Sequence, residues 1–161
     1  MDLQEAIKRS IQTEKNAMDF YRLAATHMKD ADAKRVFEVL ARDEKEHAGQ
    51  FFAIYKGSEI NSFDDFIATP PKEESDWMAD LRKMLNADFN ERQAMELAMK
   101  KEQQLEKALR EMAAKVDDPQ VRQVYEDNAK STNHHYQVIE SEYARLMGMV
   151  HETDIDTFVR E

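Results

Sequence analysis

The chain has 161 residues, 35% of them charged, with a net charge of −10, only 3 Gly, 3 Pro and no Cys. The acidic balance argues against a nucleic-acid surface, which needs cationic excess, and the missing thiols exclude disulfides, thiolate zinc sites and cysteine-held iron centres. No stretch of about 18 apolar residues and no basic start before an apolar run occurs, so neither a membrane span nor a secretory leader is expected.

The chain is read as a soluble, cytoplasmic protein with one domain over residues 1–161. Its richness in Ala, Glu, Lys, Leu, Met and Gln predicts an all-α fold. Asp2 with Glu5 three residues later reads as a capping box. From there Leu3, Ile7, Ser10, Glu14, Ala17, Tyr21, Ala24 and Met28 step by four and three along one helical seam. Asp30-Ala31-Asp32 predicts a turn and the cap of a second helix. That helix carries Ala33, Phe37, Leu40, Glu44, His47, Phe51 and Ile54 on its seam and is expected to stop at Gly57.

Residues 57 to about 75 hold Gly57, Pro70 and Pro71 and read as a connector, with at most a helical turn around Phe63 to Ile67. So long a connector fits a four-helix bundle with one crossover between its second and third long helices. Asp76 to Leu85, after Ser75, predicts a short amphipathic helix, and Asp88 with Glu91 reads as a second capping box. The third long helix places Met95, Ala98, Glu102, Leu105, Leu109, Met112 and Val116 on its seam and ends near Asp117. Asp118-Pro119 starts the fourth, with proline where its missing N–H costs nothing. Its seam is Val121, Tyr125, Asn128, Thr132, His135, Ile139, Glu142 and Leu146, closed by Gly148, and a further short helix through Asp156 and Phe158 is expected in the tail.

Two ionisable residues at core positions of one helix, Glu44 and His47, need a physical reason. A shift of 88 residues lays Glu14 on Glu102 and His47 on His135, so the chain repeats one hairpin, although Thr132 then stands opposite Glu44 and Leu109 opposite Tyr21. Glu14 lies 17 residues before Ala31 and His47 lies 16 after it. At 1.5 Å per residue both stand about 25 Å from the turn. The second hairpin has the same arithmetic, so Glu14, Glu44, His47, Glu102 and His135 converge on one layer. Three carboxylates in a water-poor core repel one another and need neutralising partners, and no Lys or Arg shares the seam layer. A mixed oxygen and nitrogen set suits iron, manganese or zinc better than calcium or magnesium. A metal-free polar layer that fixes helix register is the alternative.

The words Glu14-Lys-Asn-Ala-Met-Asp-Phe-Tyr21 and Asp43-Glu44-Lys-Glu-His47, echoed by Glu102 and His135, make residues 2 to 147 resemble the rubrerythrin-like branch of the ferritin-like proteins. The resemblance implies a ferritin-like bundle with a carboxylate-bridged site for two iron ions that reduces peroxide or oxidises ferrous iron. It would make Glu14 and Glu102 the outer carboxylates, Glu44 a bridge, and His47 and His135 the nitrogen ligands. Small oxidants (peroxide or dioxygen), a separate electron donor and a homodimer are the expected partners. Two positions depart from the pattern: Thr132 where a second bridging Glu is expected, and Leu105 where rubrerythrins carry a further carboxylate. Weaker, asymmetric or single-metal occupancy, with zinc or manganese as other candidates, follows as an expectation.

Tyr21, seven residues from Glu14 on the same seam, is the candidate to hydrogen-bond a ligand or carry an electron, with core tyrosine as the plain reading. Asn128 is a candidate weak oxygen ligand. His134, His27 and His151 read as solvated. Met18, Met28, Met78, Met84, Met95, Met99, Met112, Met147 and Met149 read as core filler.

Overall fold

The computed structural model describes residues 1–148, and all its regular structure is helical. Four long helices, α1 (Leu3–His27), α2 (Ala31–Ala53), α5 (Glu91–Lys115) and α6 (Pro119–Leu146), form a ferritin-like bundle. Two short ones, α3 (Phe63–Ala68) and α4 (Asp76–Ala87), lie on the crossover between the two hairpins. α1 packs along α2 and α5 along α6, and the hairpins meet chiefly where α2 faces α6. The crossover lays α3 against α2 and seats α4 against α1 and α5. The tail helix expected through Asp156 and Phe158, together with Met149 and His151, lies outside the described residues.

The seams fold inward as their period requires. Ile7, Ile11, Phe20, Phe37, Phe51, Tyr125 and Ile139 are fully enclosed, and Trp77, Met78 and Leu81 on α4 close the core on the crossover side. Met147, expected as core filler, is instead 39% exposed, because α6 ends at Leu146 and Met147 becomes its C-cap.

Several helix ends match their sequence signals and several do not. Asp2 accepts from the Glu5 N–H, but Glu5 turns its carboxylate to Lys8 and completes only half a capping box. Asp118 caps α6 through the N–H groups of Gln120 and Val121, with Pro119 in the first turn. Gly148 adopts φ 78°, the left-handed geometry that stops a helix. Asp30 stands at the N-cap of α2 without capping it, its carboxylate being bound by Arg145 from the end of α6. The start of α5 is capped by Asn90 and not by Asp88. Asp88 is the C-cap of α4, and Glu91 receives the backbone N–H groups of Lys29 and Asp30 at the first hairpin turn. α2 stops at Ala53, before Gly57, with Ile54 and Tyr55 donating to carbonyls three residues back. Gly57 serves another end: a Cβ there would overlap the phenol of Tyr55.

Candidate metal centre

Each long helix delivers its polar seam residues to the middle of the bundle. Glu14 comes from α1, Glu44 and His47 from successive turns of α2, Glu102 from α5, and His135 from α6. Glu14, Glu44 and Glu102 are fully buried, with His47 at 5% and His135 at 2% exposure. Glu44 lies at the centre: its Oε1 is 2.9 Å from His47 Nδ1 and 3.5 Å from His135 Nδ1. Glu14 Oε1 stands 3.4 Å from His47 Nδ1, and Glu102 Oε1 stands 3.5 Å from His135 Nδ1. The two imidazoles lie nearly parallel, 14° apart with centroids at 5.2 Å, and both turn Nδ1 towards Glu44. Glu44, His47 and His135 bring one ligand atom each within 4.8 Å of one another.

Short as they are, these contacts lack hydrogen-bond alignment. Among the described residues, both oxygens of Glu14 and of Glu44, Oε1 of Glu102, and Nδ1 of His47 and His135 are buried without a hydrogen-bond partner. A buried polar atom left unpaired costs about 1–3 kcal/mol, more if charged, so seven in one layer is a heavy burden on a marginally stable fold. An Nδ1 lone pair beside a carboxylate oxygen is also repulsive unless a proton or cation stands between them. Three carboxylates and two imidazoles converging from four helices fit a divalent transition metal.

The surroundings aim these groups. His47 Nε2 pairs with Ser131 Oγ at 2.8 Å, and His135 Nε2 faces Asp43 Oδ2 at 3.3 Å, so the outer nitrogen of each ring is turned to a polar group and Nδ1 faces inward. Tyr21 donates its hydroxyl to Glu102 Oε2 at 2.8 Å. Asp43 and Ser131 in this role are additions to the sequence reading, in which flanking polar residues default to solvent. Asp43 sits inside the Asp-Glu-Lys-Glu-His word and was its one legible hint. Thr132 Oγ1 and Asn128 Oδ1 are likewise buried and unpaired. Asn128 spends its amide group on Gln50 and the Val124 carbonyl. His134 is exposed, and so is His27, which lies against Phe89.

Electrostatics record the crowding. Burial, then the charges of Glu102 and Glu14, push Glu44 up to about 8. Burial alone would lower His47, but the carboxylates of Glu14 and Glu44 outweigh it and push the imidazole up to about 11. His135 is raised in the same way, burial being overcome by Glu102 and Glu44. Burial followed by Glu102, Glu44 and Glu14 holds the Tyr21 phenol well above its usual range. Without a cation the layer therefore retains protons at neutral pH, and a metal ion must displace them.

Neither the curated proteins nor the solved structures contain a significant match to this chain. One family description, Rubrerythrin, matches residues 5–143, a span that takes in α2 and α5 whole, most of α1 and α6, and every residue of the buried layer. The chain therefore belongs to the rubrerythrin family.

Proposed function

We propose that the protein is a non-haem iron protein that binds two ions through Glu14, Glu44, His47, Glu102 and His135 and reduces peroxide or oxidises ferrous iron there. The observation that carries this reading is the seven unpaired ligand atoms on five buried residues of one layer. The family supplies the choice of iron. Bound iron would provide the electron chemistry by cycling between ferrous and ferric states.

The chain's own residues set the conditions for that chemistry. Glu44 lies between the two imidazoles, and Glu14 with His47 and Glu102 with His135 would hold the ions on its two sides. Tyr21 fixes Glu102 by holding Oε2 and leaving Oε1 towards His135. Burial of all five groups keeps bulk water from the layer and strengthens their charges. Asp43, half-buried beside His135 Nε2, is placed to pass a proton between that ring and solvent. The protein, loaded anaerobically with ferrous iron, is expected to consume peroxide faster than the same concentration of free ferrous ion. Equal rates would remove the redox reading.

Thr132 favours a second reading, in which the metal binds and turnover is weak. Three carboxylates leave two divalent ions with one uncompensated positive charge, where a fourth would balance them. Thr132→Glu is expected to tighten iron binding by at least about tenfold, 1.4 kcal/mol, and to speed ferrous oxidation. If neither changes, the missing carboxylate is not what limits the site.

A further inference from the structure

The five ligand candidates are all buried, so a soluble reductant cannot touch them, and the 161 residues contain no thiol to carry electrons inward. One continuous aromatic path joins this layer to a surface cleft. It begins at Glu102 Oε2, which accepts the Tyr21 hydroxyl at 2.8 Å. The Tyr21 ring lies 5.9 Å, centroid to centroid, from that of Trp77, the chain's single tryptophan. Phe20 touches both rings edge-on, at 5.1 Å from each, and fixes their relation. Trp77 is only 6% exposed, yet it lines a cleft of about 460 Å³ between α1, α4 and α5, together with Thr13, Asn16, Lys72, Gln104 and Leu105. Among the described residues its indole N–H has no hydrogen-bond partner, and it is not one of the buried unpaired atoms.

Tyr125 is the other fully buried tyrosine, but its hydroxyl pairs with Ser10 and not with any residue of the layer. The crossover, an expensive loop if it served only to connect hairpins, thus carries the residue that completes the path. α4 is begun by the Ser75 cap and held to α5 by Asp80 and Lys101, 2.6 Å apart. Trp77 is therefore positioned by a rigid element on both sides.

We propose that Trp77 is the electron port of this protein: a small hydrophilic one-electron reductant of the ascorbate or hydroquinone class docks in the cleft, and its electron reaches the metal layer through Trp77 and Tyr21. The inference rests on the redox reading above. In the forward step the reductant loses one electron and its proton goes to water; the oxidised layer gains the electron, and no bond within the protein forms or breaks. Starved of reductant, the path draws on the protein itself. Trp77 then gives one electron to the oxidised layer and its indole proton to water in the cleft, and the neutral indolyl radical left behind combines with dissolved dioxygen to form an oxygen adduct.

The test uses the full chain loaded with iron and oxidised, then mixed rapidly with ascorbate while the ferric absorbance is followed. Trp77→Phe keeps ring packing and removes the easily oxidised indole. It is expected to bind the same amount of iron and to be reduced more slowly by about an order of magnitude, with Trp77→Tyr recovering much of the rate. A role in packing alone would not distinguish Tyr from Phe. On the unaltered protein, oxidation without reductant followed by peptide mapping is expected to place oxygen adducts on Trp77, and Tyr21→Phe to diminish them. Wild-type reduction rates in iron-replete Trp77→Phe overturn the proposal, as does damage confined to exposed methionines with Trp77 spared. A chain that takes up no iron overturns the metal reading and the port together. A chain reduced through Trp77 that ignores peroxide supports the port and removes peroxide from the function.

Discussion

Glu44 concentrates the opposing forces of the layer in one side chain. It is fully buried and flanked by two imidazoles, and burial, followed by the charges of Glu102 and Glu14, raises its pKa to about 8. Glu44→Gln keeps the shape while removing the charge. The metal-free variant is expected to melt no lower than the parent, and its affinity for ferrous iron or zinc to fall by at least about tenfold, 1.4 kcal/mol. Melting curves and calorimetric titrations check both halves, and unchanged affinity would take Glu44 out of the ligand set. The raised values for His47, His135 and Glu44 also fix the sign of the pH dependence. Metal must displace the protons that Glu44 and His47 hold at neutral pH, so affinity rises from pH 6 to pH 8 and binding releases protons into a weakly buffered solution. The candidate ligands were legible in the sequence because each interrupts an apolar seam where charge is costly. Asp43 and Ser131 were not, since they stand beside the seam, where a polar residue needs no explanation.

Among the elements, the crossover shows most clearly what periodicity leaves out. Its two short helices could be placed from Ser, Pro and amphipathic spacing, but not what fastens them. Lys15 is 1% exposed on α1, ion-paired with Asp19 at 2.6 Å, and its ammonium also donates to the Thr69 carbonyl at 3.0 Å. The Phe66 ring of α3 lies 5.9 Å away. No local pattern distinguishes this lysine from a solvated one, because its partner carbonyls lie more than fifty residues along the chain. Asp19 is 6% exposed and raised by burial against the lowering effect of Lys15, so removing Lys15 strands a buried acid. Lys15→Met is expected to cost about 3 kcal/mol and to make residues 57–75 more sensitive to limited proteolysis. Lys15→Met with Asp19→Leu should regain most of that stability. A single variant as stable and protease-resistant as the parent would show that the strap contributes nothing. The helix ends teach a related lesson: Asp88 and Asn90 both satisfy a capping rule, and tertiary bonds from Glu91 to the first hairpin turn accompany the choice of Asn90.

At the scale of the whole molecule, two similar hairpins meet along α2 and α6, and the polar layer lies across their junction. A cation bound there ties all four long helices together, which gives metal binding a direct grip on stability. The metal-free protein must manage the same charges with protons. Glu44 moves from an ordinary 4.5 to about 8 and His47 from 6.5 to about 11 on folding. Both shifts are upward, so the folded state holds more protons than the unfolded chain, and stability falls as pH rises between the unfolded and folded values. Glu44 acts between pH 4.5 and about 8, His47 between 6.5 and about 11. Each contributes at most about 1.4 kcal/mol per pH unit within its window. With each kcal/mol worth about 2–4 °C in a domain of this size, the chelated protein is expected to lose at least about 5 °C in melting temperature between pH 6 and pH 9. Iron or zinc replaces those protons, so the loaded protein should hold its melting temperature over the same range. The two profiles then approach each other at pH 6, where protons compete best, and separate towards pH 9. Parallel profiles for the chelated and loaded protein would mean that the buried layer does not exchange protons for metal, and the site would lose its strongest physical argument.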